Sequence, residues 1–320
     1  MRRALNRSAL AAAMASAFGA VAQTAPAAVE TVVVTAERVR QSSFDAPAAI
    51  SVVTREAIEA GGPQVNLSEV LNRVPGITVL NRQNYAQDLQ LSIRGFGSRS
   101  TFGIRGVRLI VDGIPATMPD GQGQASNIAL TSARRIEVLR GPLAQLYGNA
   151  AGGVVRVISG SDATEPTTTL RTAVGRDGQV KTGLSFGASG AADEVLLDAS
   201  HFRTDGYREH SRAERTQLNA KWEHRFGTDS RVTLVVNSLD QPNSLDPLGL
   251  TRAQLQANPE QAVAIAKSQD ARKSVAQDQL GVVLEQAFGN ATTLSMRVYG
   301  GSRVLDNALS IPPAAQAPPT

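Results

Sequence analysis

Beyond residue 165 apolar and polar residues alternate, in one segment after another. In 217–226, Leu218, Ala220, Trp222 and Phe226 point one way, and Gln217, Asn219, Lys221, Glu223 and Arg225 point the other. The same period recurs at 168–175, 180–188, 231–238, 279–288 and 293–298, and less cleanly at 194–203, where Leu196 falls on the polar side. Period two belongs to a strand, whose successive side chains leave opposite faces of the sheet. Roughly seven such segments of about ten residues form the pattern of a transmembrane β-barrel, apolar toward lipid and polar toward a wet lumen. A soluble sandwich also alternates, so these strands alone leave that architecture open. The short turns at 227–230 and 289–290, set against the polar stretch 240–273, fit the two rims of a barrel. Seven strands do not close one, because single-chain outer-membrane barrels carry an even number, about eight or more. An open edge in lipid leaves backbone groups unpaired, at several kcal/mol each. With the loop-like ending IPPAAQAPPT, the expectation is a fragment or a truncated gene product.

The beginning of the chain says how it reaches a membrane. RRALNR is a basic stretch, SALAAAMASAFGAV a small apolar one, and Ala20-Val21-Ala22 precedes Gln23 as a cleavage site. Residues 1–22 therefore read as a signal peptide. No later run reaches the ~18 apolar residues of a membrane helix, so insertion has to be by strands. Three of the 32 bases lie in that leader, which has no acid, leaving 29 bases against 28 acids in the remainder. Such a balance argues against a nucleic-acid surface. The absence of cysteine excludes a disulfide scaffold, a thiolate metal site and a cysteine nucleophile.

Between leader and alternation lie two further regions. Residues 23–43 are a linker with a strongly β-prone stretch, ETVVVTA at 30–36, too short to form a core of its own. Residues 44–160 read as a compact mixture of strands and short helices. ISVVT, LQLSIRGFG, VRLIVDGIP, RRIEVLRG and GGVVRVIS are the strands. REAIEAGG and NLSEVLNRVPG are helices, the second capped by Asn66 or Ser68 and ended by Pro75-Gly76. Pro142 suits the first turn of another helix in PLAQLYG.

LSEVLNRVPGITV, LSIRGFG, VRLIVDGIP and RIEVLRGPLAQLYGNAAGGVVRVIS together resemble the plug motifs of the TonB-dependent outer-membrane transporters, the siderophore receptors. The resemblance is close over residues 30 to about 160 and looser in the strands beyond. It implies an α+β plug domain at 44–160, followed at 165–320 by about seven strands of an incomplete antiparallel transmembrane barrel. It implies an outer-membrane location in a Gram-negative bacterium and uptake of a scarce nutrient, with a ferric siderophore as the expected ligand. Glu30, Thr31, Val32, Val33, Val34, Thr35 and Ala36 then resemble the TonB box. An extended segment of this kind adds a strand to a partner's sheet edge; the implied partner is TonB, driven by ExbB and ExbD.

Arg94 and Arg140 resemble plug arginines that face barrel glutamates. Those glutamates are expected in later strands, which would leave both arginines unpaired here. Arg82, Gln83, Tyr85, Arg99, Phe102 and Met118, with the loop running on to Gln124, are the candidate ligand contacts. Arginine beside an aromatic ring suits an anionic chelate. No HExxH, Walker A or GxSxG is present, so no enzyme is expected. His201, His210 and His224 are not expected to form a metal site. No intrinsic cofactor is expected, and iron enters only inside a bound chelate. A passive porin-like channel with an occluding domain, and a non-functional truncated receptor, are the rival readings.

Overall fold

The computed structural model describes residues 33–34, 41–42, 49–80, 83–100, 103–118, 120–141, 147–148, 150–289 and 292–311. Its largest element is a seven-stranded antiparallel sheet in sequence order. The strands are β10 (Thr167–Val174), β11 (Val180–Ser189), β12 (Asp193–Thr204), β13 (Ala213–Phe226), β14 (Ser230–Leu245), β15 (Arg272–Phe288) and β16 (Thr292–Ala308). The connections at 190–192 and 227–229, and that between Phe288 and Thr292, are short and lie on one rim, where the chain also enters the sheet at Thr167. The opposite rim carries 175–179, 205–212 and the long excursion 246–271, which holds helices Arg252–Ala257 and Ala264–Ser268. Short turns on one rim and longer loops on the other are the habit of outer-membrane barrels.

This sheet is inside out relative to a soluble protein. Its apolar face is exposed: Leu184 is 52% accessible, Leu197 49% and Phe226 57%. Its polar face is buried, with Lys181, Glu194, Asp198, Arg215, Gln217, Asn219, Lys221 and Glu223 all taken out of solvent. A soluble sandwich buries the apolar side because water rejects it, so this polarity is that of a wall facing lipid. The outward row ends near the short-turn rim in Trp222, His224 and Phe226, whose rings stack successively at 5.8 and 4.4 Å. Aromatic rings with polar tips favour a membrane–water interface.

The expected strand limits were too short toward the long-loop rim. β14 runs on to Leu245 and β15 begins at Arg272, inside the stretch expected as loop. Above the lipid band the outward residues turn polar, as in Ser238 and Asp240, while the inward face mixes Leu239 with Gln241, so alternation no longer betrays the strand. A bulge between Gln241 and Ser244, with Asn243 at φ 43°, accommodates Pro242 there.

Inside the wall sits a second unit. Its sheet has the order β3-β8-β9-β6-β7, from β3 (Ala49–Thr54), β6 (Val107–Val111), β7 (Ile114–Pro115), β8 (Ala133–Arg140) and β9 (Gly153–Ser159). β6 and β9 are parallel and the other pairs antiparallel. A hairpin of β4 (Ile77–Leu80) and β5 (Gln90–Ile93) and helices Arg55–Glu59 and Ser68–Leu71 complete it. Ile58, Leu71, Ile93, Leu109, Ile136 and Val155 form its dry core. The helix caps differ from expectation. Leu67 stands at the N-cap of Ser68–Leu71 and gives no side-chain bond. The Glu69 carboxylate instead reaches back to the N–H groups of Gln64, Val65 and Asn66, at 2.6, 2.9 and 2.8 Å. The helix expected at PLAQLYG lies largely outside the described residues. A separate ladder pairs β1 (Val33–Val34) with β2 (Gln41–Ser42).

Val236→Arg, opposite Ala220 inside the lipid band, is expected to destabilise the full-length protein in liposomes by about 2–4 kcal/mol, whereas Thr216→Arg, above the band, costs about 0–1. Denaturant unfolding of the two variants measures the difference.

Candidate functional site: the plug–wall interface

The polar inner face of the wall is matched, group by group, by the plug. On β13 alternate residues descend from rim to rim, and each meets plug backbone or a short plug side chain. Arg215 Nη1 donates to the Val65 carbonyl at 2.9 Å. Gln217 Nε2 donates to the Ser126 carbonyl at 3.0 Å. Asn219 Nδ2 donates to Ser132 Oγ at 2.7 Å, and Lys221 Nζ to the Ser159 carbonyl at 3.0 Å. On β12, Asp198 Oδ1 accepts from Thr131 Oγ1 at 2.6 Å, and Phe202 packs on Tyr85 with ring centroids 5.0 Å apart. Leu196, the residue that breaks the alternation, is buried on this same inner face. Its place is on the polar side because the plug, rather than water, lies opposite it.

Two clusters of charge fix the plug within this face. Near the long-loop rim the turn 64–66 is held from both sides. Its N–H groups go to Glu69, while the Gln64 carbonyl accepts from Lys181 Nζ and the Val65 carbonyl from Arg215. Burial raises the Glu69 carboxyl above its ordinary range, against the lowering effect of those three N–H bonds. Near the short-turn rim, Arg134 of β8 lies 3.2 Å from Glu194 of β12 and 2.8 Å from Asp162. Lys221 sits 3.7 Å from the same Glu194 oxygen.

The plug apex, 83–89, meets the wall just inside the long-loop rim. Asp246 accepts from Asn84 Nδ2 at 2.7 Å and from Gln87 Nε2. Lys273 pairs with Asp88 at 2.7 Å, and Gln241 Nε2 donates to the Tyr85 carbonyl at 2.9 Å. The cavity among these groups, bordered by Tyr85, Arg215 and Lys273, has a volume of about 40 Å³. On the far side of the plug Ile114 projects between Val235 and Val283 of the wall. Gly281 leaves room for it: a Cβ there would stand 2.1 Å from Ile114 Cδ1. Next to this knob a cleft of about 520 Å³ separates plug segment 115–127 from β15 and β16.

The residues singled out from sequence fall into different places. Tyr85 is half-buried under Phe202, and burial pushes its hydroxyl up to about 12. It also borders the apex cavity. Met118 lines the large cleft. Gln83 and Arg99 are exposed, and Gln83 has φ 50°. Arg82 and Phe102 lie outside the described residues. The Arg140 guanidinium donates to the Pro75 carbonyl and to Ser51 Oγ, both at 2.6 Å and both within the plug, and no carboxylate pairs with it among the described residues. Burial, with the nearby Arg94 charge, lowers its pKa. Arg94 is exposed, at φ 50°, with its N–H on the Gly76 carbonyl at 2.8 Å. Of 30–36 only Val33 and Val34 are described, facing Ser42 and Gln41; Glu30, Thr31, Val32, Thr35 and Ala36 lie outside. The three histidines do not converge. His201 meets Thr216, His210 the Ala271 carbonyl, and His224 Asp193.

Sequence reasoning missed Lys181, Glu194 and Arg215 as plug contacts. The signal was present, since alternation placed Lys181 inward, but a wet lumen was expected to solvate such charges.

Residues 42–154 match the TonB-dependent Receptor Plug Domain. A vitamin B12 transporter of Vibrio vulnificus, BtuB, is 32% identical over 180 residues, 56% of this chain and 28% of that protein. An iron-regulated outer membrane virulence protein of Vibrio cholerae is 39% identical over 157 residues, 46% of this chain and 22% of its own. The unliganded ferric citrate transporter FecA superposes with a TM-score of 0.67 at 20% identity, over 82% of this chain and 41% of that one. The chain thus spans about a quarter of the curated relatives' length. Residues 42–154 are a TonB-dependent receptor plug domain, and the chain resembles the outer-membrane receptors of Gram-negative bacteria in carrying that plug ahead of seven strands of wall.

Two outcomes test the interface. Glu194→Ala removes the carboxylate shared by Arg134 and Lys221, which keep Asp162 and Glu223 as partners, and is expected to loosen the plug by about 1–3 kcal/mol, read as faster proteolysis of the plug in outer-membrane vesicles. Gly281→Val is expected to disturb plug seating and Ile114→Ala to relieve it, with a coupling of about 0.5–3 kcal/mol in a double-mutant cycle.

Proposed function

We propose that the protein takes up a scarce nutrient actively across the outer membrane, with a ferric siderophore as the ligand. Residues 30–36 hand the pull of TonB, powered by ExbB and ExbD, to the plug. The observation that supports this most is the sealed inner face of β12 and β13, where Asn219 is 1% accessible. A lumen filled by bonded polar groups does not conduct passively, so opening it takes work. The strand-forming segment ahead of the plug is where such work enters: an added strand gains main-chain hydrogen bonds from its partner and so bears a pull.

Iron is cargo in this reading, carried in its chelate, and the protein needs no cofactor of its own. The chemistry is binding and mechanically driven release, with no bond made or broken. The lipid of the outer membrane covers the apolar face of the wall. The ferric ligand is favoured by arginine and aromatic residues at the plug, and by the likeness to iron-regulated and ferric citrate receptors. The likeness to a vitamin B12 transporter makes cobalamin the second ligand to try.

Val33→Pro removes a backbone donor and strains an extended pairing. In the full-length protein it is expected to lower energised uptake of iron-loaded siderophore by about tenfold or more while leaving binding at the cell surface unchanged. Intact energised uptake would overturn the assignment of 30–36.

A further inference from the structure

The two cavities at the plug–wall interface differ in size and in the state of their charges. The apex cavity, at about 40 Å³, holds little more than water. Its cations are already engaged, Arg215 on the Val65 carbonyl and on Gln241, and Lys273 on Asp88. The cleft beside Ile114, at about 520 Å³, is of small-molecule size. It lies at the level of Gln277 and Gln279, so it is deeper than the Lys273–Asp88 contact by about 14–20 Å along β15.

The chemistry of this cleft is one-sided. Arg108 of β6 borders it, and among the described residues no hydrogen bond or ion pair is seen for its side chain. Arg303 of β16 borders it from the wall. Its guanidinium bonds are to neutral amide oxygens, Gln124 Oε1 at 2.9 Å and Gln277 Oε1, and the Asp88 carboxylate acts on its charge only from beyond ion-pair distance. Asp278 also borders the cleft, but its carboxylate accepts from Ser238 Oγ on the outward face. Asn127 also lines the cleft. It is 8% accessible, and its Oδ1 is buried without a donor. A buried polar atom left unpaired is costly, and a ligand hydroxyl or amide N–H would satisfy it. Two arginine forks on opposite walls suit carboxylate or catecholate oxygens.

We propose that this cleft is a binding site, below the apex, for an anionic metal chelate. Arg108 and Arg303 hold its oxygens and Asn127 Oδ1 accepts from its hydroxyl or amide. The proposal rests on the uptake reading and gives it an inner stage. A ligand released by the outer loops passes between segment 115–127 and the wall, and displacement of the plug moves Arg108 away from Arg303.

The test is equilibrium binding by the purified full-length protein of three probes: ferric citrate, ferric enterobactin and uncharged cyanocobalamin. Wild type is expected to bind at least one of the two anionic chelates. Arg108→Gln loses no bond of the fold and is expected to weaken that binding about fivefold, and Arg108→Gln with Arg303→Gln about tenfold or more. Unchanged affinity in both variants overturns the site, and so does binding of cyanocobalamin alone or of none of the three. Failure of the uptake reading is separate: it appears as Val33→Pro cells that still take up iron, whatever the binding data say.

Discussion

The rest of the structure depends on the burial of a polar sheet face against a plug that satisfies it. Charges and amides facing inward from β12 and β13 are out of solvent, and each left alone would cost several kcal/mol. They are tolerable because plug carbonyls, hydroxyls and one arginine meet them in register, from Arg215 near one rim to Lys221 near the other. The same strands turn Leu218, Ala220 and Trp222 outward. One alternation therefore serves two solvents, lipid outside and a folded domain inside.

This arrangement holds the plug by contacts that water can replace. Among the described residues few of its contacts with the wall are apolar, chiefly the Ile114 knob and the packing of Tyr85 on Phe202. Hydrogen bonds and ion pairs have short reach and can exchange for water one by one as a domain shifts. The turn 64–66, polarised between Glu69 and the cations Lys181 and Arg215, and the Arg134–Glu194–Lys221 cluster are the two strongest points of attachment. They lie toward opposite rims, so they oppose tilting as well as sliding.

Much of the architecture was legible in the sequence, because lipid imposes a strict alternation and the plug motifs are specific. The seven strands and their outward residues were read from period two alone. Strand ends at Leu245 and Arg272 were not, since above the lipid band the outward residues turn polar. Helix capping by Glu69 was missed because its partners precede it in a turn that propensity does not describe. The site was less legible than the fold. Met118 borders the cleft, but Arg108, Asn127 and Arg303 come together there only through the packing of the plug against β15 and β16, which no local pattern announces. Arg140 was expected to lack a barrel carboxylate, and the neutral groups that hold it, Pro75 and Ser51, are sequence-distant positions within its own domain.

The central claim is that β13 separates lipid from plug. Spin labels placed one at a time along 217–222, in a chain with no cysteine of its own, measure it directly through collision with oxygen in the bilayer. The account predicts high oxygen accessibility at 218, 220 and 222 and low accessibility at 217, 219 and 221. A profile without this alternation, or with its phase reversed, would contradict it.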